Sequence, residues 1–125
     1  MGTRSLTYVY NEDNNKQPFV CMYRQFDGYP SGHGAELAEF LTPMKTKEEG
    51  RNANGMGCLA AQMIAYFKEG TYNIYLQFPE LGQDSWQEYE YHVFADKVVV
   101  QNPTEVIFSG SWKEFSEFCC DELVS

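Results

Sequence analysis

Two polar segments punctuated by glycine carry most of the side chains able to bind or react. The first, Arg24-Gln25-Phe26-Asp27-Gly28-Tyr29-Pro30-Ser31-Gly32-His33-Gly34, sets a guanidinium, an amide, a carboxylate and an imidazole among three glycines. Glycines let a backbone approach a ligand closely, and a helix start offers unpaired N–H groups to an anion. The plainer reading is a strand-to-helix connection in which Asp27 and Ser31 satisfy turn N–H groups. The segment has neither the G-K-[ST] of a nucleotide-binding loop nor a G-x-G-x-x-G fingerprint. The second segment, Asn52-Ala53-Asn54-Gly55-Met56-Gly57-Cys58, also surrounds a helix start, with Asn54 a candidate cap. If both loops lie at one end of a sheet, their helix termini converge on one anion pocket.

Arg4, Arg24 and Arg51 are the only arginines. A hairpin over residues 5–24 brings Arg4 close to Arg24, and two adjacent guanidinium groups repel unless a carboxylate or phosphate separates them. Asp27 or a ligand phosphate would serve. The expected ligand-binding set is Arg4, Arg24, Gln25, Asp27 and Tyr29, joined by His33, Gly34, Asn54 and Gly57. The arginines would neutralise an anion, His33 would hydrogen-bond or stack, and Tyr29 would cover an aromatic base.

Cys58 suggests a different chemistry. A cysteine opening a helix has its thiolate favoured, and a later His92, oriented by Asp96 or Asn102, would complete a cysteine hydrolase. Against this, His92 alternates with Tyr89, Tyr91 and Val93, so it points away from Cys58 if those residues meet the helices. No catalytic residue is assigned outside that alternative. No ligand spacing among the histidines and cysteines defines a metal site, and no cofactor is implied.

The elements that position these residues follow from periodicity. Ser5 to Tyr10 and Phe19 to Arg24 read as strands joined by the Asn11–Lys16 turn. Gly34, Leu37, Ala38 and Leu41 mark a short helix stopped by Thr42-Pro43, and residues 43–55 form a polar loop. Met56 to Glu69 is a largely buried helix with Leu59, Met63, Tyr66 and Phe67 on one face and Gly70 as its stop. Strands follow at Tyr72 to Phe78, Tyr89 to Val93, Lys97 to Gln101 and Thr104 to Ser109. Ser111-x-x-Glu114 is a capping box opening a last helix whose apolar face holds Trp112, Phe115, Phe118 and Cys119. The order ββααββββα predicts one α+β domain over residues 1–125: two layers, a mainly antiparallel sheet, helices on one face. The other face still carries aromatics, which suggests a homo-oligomer.

Composition bounds the function. Nine Phe, nine Tyr and two Trp supply ample burial for 125 residues, so disorder is a poor description. Nine Lys and Arg against eighteen Asp and Glu give a net charge of −9, which disfavours bulk nucleic acid and anionic membranes. No apolar run reaches a membrane span or reads as a signal peptide, and four cysteines without a disulfide-like spacing fit the cytoplasm.

Met1-Gly2-Thr3-Arg4-Ser5-Leu6-Thr7, Met22-Tyr23-Arg24-Gln25, Asp27-Gly28-Tyr29-Pro30, Gly32-His33-Gly34 and Asn54-Gly55-Met56-Gly57-Cys58 resemble small uncharacterised proteins of tailed bacteriophages and prophages. The resemblance implies an accessory protein made in an infected host cytoplasm, of the kind that redirects or blocks host machinery such as defence signalling. It brings no catalytic or ligand assignment. The first functional expectation is a non-enzymatic binding protein for a small anionic, nucleotide-like ligand. The second is a modulator that occupies a host protein through an acidic aromatic surface, and the third is the Cys58–His92 hydrolase.

Overall fold

The β-branched and aromatic run near the start forms β1 (Ser5–Val9), buried on both faces at the centre of a six-stranded sheet. The computed structural model describes residues 3–46, 51–69 and 73–124, with side chains described as far as Cys120. Residues 47–50 of the polar loop, the Gly70 stop and Tyr72 lie outside the described residues.

β2 (Val20–Arg24) returns antiparallel to β1, with Ser5 opposite Arg24 and Val9 opposite Val20. A π-helical turn over Pro30–Gly34, where a loop is expected, runs directly into α1 (Ala35–Leu41). Then come α2 (Gly55–Lys68), β3 (Ile74–Gln77), β4 (Tyr89–Val93), β5 (Val98–Gln101), β6 (Val106–Gly110) and α3 (Trp112–Val124). The protein is thus α+β. The sheet order is β3-β2-β1-β4-β5-β6, antiparallel throughout except where β4 lies parallel to β1. Parallel neighbours need a long connection, and here the whole stretch from β2 to the 79–88 loop supplies it. That loop carries the chain from the β3 edge back to the middle of the sheet.

β6 starts two residues later than the spacing predicts. The Asn102 carboxamide accepts the N–H groups of Thr104 and Glu105, each at 2.9 Å, and so holds both in a turn. The capping box forms as predicted: the Glu114 N–H donates to Ser111 Oγ at 3.1 Å and the Ser111 N–H to Glu114 Oε1 at 2.8 Å.

Strand alternation divides the core. Val9, Met22, Ile74, Tyr91, Val93, Val98 and Val100 meet the helices. Leu6, Tyr8, Tyr10 and Cys21 form a second cluster on the outer face. Helix α2 lies on the sheet by one stripe, Met56, Leu59, Ala60, Met63 and Phe67, rather than being largely buried. Tyr66, expected in that stripe, is 41% exposed because its ring packs on Phe40 of α1, 5.4 Å between centroids.

Candidate functional site

The glycines of the first loop answer to packing. A Cβ at Gly28 would lie 2.7 Å from Ser5 Cβ and 2.8 Å from the Thr3 carbonyl oxygen, so the loop rests directly on the Thr3–Ser5 segment that leads into β1. The Gly28 N–H donates to Thr3 O at 2.8 Å, and the Tyr91 hydroxyl donates to Gly28 O at 2.7 Å. A Cβ at Gly34 would stand 3.0 Å from Cys119 Sγ. Gly32, His33 and Gly34 donate their N–H groups to carbonyls of Tyr29, Asp27 and Tyr29 respectively, leaving them committed within the turn. Asp27 adopts φ +60°, and its carboxylate accepts the Tyr29 hydroxyl at 3.2 Å.

Arg24 is neutralised by the protein itself. Its Nη1 pairs with Glu36 Oε2 at 2.7 Å, and its Nε donates to Phe26 O at 2.6 Å. The same Nη1 stands 3.4 Å from His33 Nδ1, and His33 Nε2 lies 2.7 Å from Thr7 Oγ1. A guanidinium only donates, so Nδ1 accepts and the imidazole proton sits on Nε2, aimed at Thr7. Burial, and after it the neighbouring Arg24 charge, push the His33 pKa down to about 3. The imidazole is therefore neutral, wedged between Phe67 and Tyr91 at 4.8 and 4.9 Å.

The expected pairing of guanidinium groups does not occur. Ser5 is the residue opposite Arg24, so Arg4 projects from the other face, where its Nε donates to the Tyr23 hydroxyl at 3.0 Å. Glu36, not Asp27 or a ligand, answers Arg24. Gln25 is half-buried and its N–H donates to Asn73 O at 3.0 Å. The cleft of about 310 Å³ beside Arg24 is walled by Glu36, Tyr66, Phe67, Glu69 and Asn73, with none of Arg4, Asn54 or Gly57.

The start of α2 already holds an anion. Glu12, from the β1–β2 turn, accepts the Met56 N–H at 3.2 Å on one carboxylate oxygen and 3.5 Å on the other. Asn54, the expected cap, makes no side-chain cap bond. Gly55 has φ +83°, and an added Cβ would lie 3.2 Å from Glu12 Oε2. Gly57 faces open space. The two helix starts thus do not converge on a shared pocket.

The cysteine hydrolase reading fails on facing. Tyr91 and Val93 pack with the helices, so His92 projects from the opposite face of the sheet to α2 and Cys58. There its ring stacks on Tyr8 at 5.1 Å, its Nδ1 lies 2.7 Å from the Tyr10 hydroxyl and its Nε2 lies 3.3 Å from Glu90 Oε1. His92, with the Gln87 amide, holds the Glu90 carboxyl below its ordinary range against the opposing effect of burial. Asp96 is exposed in the β4–β5 turn, and Asn102 is engaged in its own turn. Hydrogen bonds from the Asn54 backbone and then the Gln62 amide hold the Cys58 thiol below its usual value. Among the described residues no three His, Cys, Asp or Glu side chains are grouped to hold a metal ion.

The sequence reading missed the most unusual surface. Phe78 is 82% exposed, Trp86 76% and Leu76 61%, with Tyr75 and Leu81 near half. All belong to β3 or to the segment that follows it, from Phe78 through the 79–88 loop. The loop is pinned: Tyr8 Oη donates to Glu80 O at 2.9 Å, Ser85 Oγ to Gln77 Oε1 at 2.9 Å, and Gln87 Nε2 to Glu90 Oε2 at 2.8 Å. Gln83 Nε2 bonds the carbonyls of Phe78 and Glu80 at 2.8 and 2.9 Å. Tyr8 and Tyr10, aromatics of the sheet's outer face, are buried within the chain. Trp86 is held at φ +60°, its N–H donated to Asp84 Oδ1 at 3.0 Å. The alternation of Ile74, Leu76 and Phe78 signals a buried face, and nothing local shows that β3 is an edge strand.

No protein-family model, curated protein or solved structure matches the chain. No helix among the described residues is long and apolar enough to cross a membrane.

Proposed function

We propose that this protein acts by binding, without turnover, a basic segment of another protein on the surface formed by the β3 edge and the 79–88 loop. The observation that carries this reading is the near-complete exposure of Phe78 and Trp86 on a loop fixed by its own hydrogen bonds. Large rings of this kind anchor interfaces, and a loop already ordered gives up little freedom on association. A bulky residue in left-handed backbone costs about 1–2 kcal/mol, a strain characteristic of functional positions. Glu80, Asp84 and Glu88 are exposed on the same loop, and a net charge of −9 steers cationic partners toward it. The same charge opposes self-association. The phage resemblance makes that partner a host protein.

Selection of short displayed random peptides against the protein tests this. The expected outcome is enrichment of net-basic peptides with apolar anchors, and an affinity loss of about a hundredfold on Phe78→Ser/Trp86→Ser. Recovery of neutral or acidic peptides, or of peptides indifferent to that double substitution, contradicts it.

A further inference from the structure

Resting on that reading, we infer that the partner docks as an added β-strand on the free edge of β3, supplying apolar and basic residues in alternation. β3 ends the sheet, with β2 on its inner side only. The Gln25 N–H bonds Asn73 O, so in this antiparallel pair the groups of 73, 75 and 77 turn toward β2, and those of Ile74, Leu76 and Phe78 turn outward. Two of these outward carbonyls are occupied: Lys68 Nζ donates to Ile74 O at 2.8 Å and Gln83 Nε2 to Phe78 O at 2.8 Å. Between them the N–H and C=O of Leu76 have no partner among the described residues. Guarded ends around an open centre make a short template for one incoming strand rather than an extended aggregation edge.

Side-chain direction sets what that strand carries. Leu76 shares a face with Ile74 and Met22, on the helix side, while Tyr75 and Gln77 point to the side where Ser85 and the acidic loop lie. Alternate residues of an added strand therefore meet exposed Leu76 and Phe78 on one side and, on the other, the face where exposed Glu80 follows β3, in a chain whose net charge of −9 favours a basic partner. Lys68, which guards the Ile74 carbonyl, also holds its Nζ 5.6 Å from the Tyr75 ring centroid.

A synthetic peptide alternating Lys with Val is the probe, titrated calorimetrically against the whole chain. Leu76→Pro removes the outward N–H without breaking the ladder to β2, and Leu76→Ala removes the side chain but keeps the N–H. Strand addition requires Leu76→Pro to bind at least about tenfold more weakly than Leu76→Ala, both variants retaining the wild-type circular dichroism. Equal binding by the two variants overturns strand addition. If that equal binding is still lost in Phe78→Ser/Trp86→Ser, the aromatic surface stands and only the docking mode falls. Failure of the wild type to bind this peptide also overturns the inference, and the random-peptide selection then decides separately whether the surface binds anything basic. Should Leu76→Pro misfold, protection of the Leu76 amide from hydrogen exchange on peptide addition to the wild type decides instead: protection supports pairing and its absence refutes it.

Discussion

Acidification should loosen this fold through His33. The imidazole is fully enclosed, bonded to Thr7 and beside the Arg24 guanidinium, and its pKa is pushed down to about 3 from 6.5. A base whose folded value lies below its unfolded value takes up protons on unfolding. The stability tied to it is complete above about 6.5 and is lost as pH falls from there toward 3. At about pH 5 the folded imidazole is still neutral while the unfolded one is almost fully protonated, a loss of roughly 2 kcal/mol relative to pH 7.5. That is a large fraction of a typical total of about 5–15 kcal/mol. The assay is urea unfolding, followed by circular dichroism, of wild type and His33→Gln at both pH values. The variant is less stable throughout because its ring contacts with Phe67 and Tyr91 are gone. The two proteins share every other titrating group, so the wild type should lose roughly 2 kcal/mol more between the two pH values. Parallel losses in the two proteins would refute a buried neutral His33.

Gly28→Ala should destabilise by about 1–3 kcal/mol in the same assay, since the new methyl group meets Thr3 and Arg4 backbone atoms at 2.8 and 2.9 Å. Wild-type stability in that substitution would show that the loop does not rest on this segment. Glu12→Gln should cost about 1 kcal/mol or less, an effect that shrinks as salt is raised, because a charged acceptor at the α2 start is replaced by a neutral one. An unchanged melting temperature at low salt would count against that cap. Cys58 should react with iodoacetamide faster than a model thiol at neutral pH, at a rate that His92→Ala leaves unchanged; a marked slowing in His92→Ala would restore the dyad.

The elements were legible because each depends on local pattern. The strand alternation, the i, i+3, i+4 spacing of α1 and the Ser111–Glu114 capping box all act within a few residues. What stayed hidden depends on register or on distant chain. One residue of register decides that Arg4 faces away from Arg24, and no turn sequence as long as Asn11–Lys16 sets it uniquely. Glu12 reaches the α2 start across 44 residues, and the parallel β1–β4 pair across more than 80. Asn54 and the loop glycines looked like ligand chemistry because close backbone approach is needed both for a ligand and for packing; at Gly28 and Gly34 the approaching group is protein. The Leu76–Phe78 surface went unseen for the opposite reason: an edge strand and a central strand share one alternation, and only the completed sheet reveals which it is.

The most direct measurement is an amide-resolved footprint: nuclear magnetic resonance shifts of the labelled protein on adding a basic peptide recovered by selection. The expected shifts centre on Tyr75 to Phe78 and on the loop through Trp86. Shifts centred instead on Arg24, His33 and the Asn73 cleft would contradict the aromatic surface as the binding face and return the Arg24 cleft to first place.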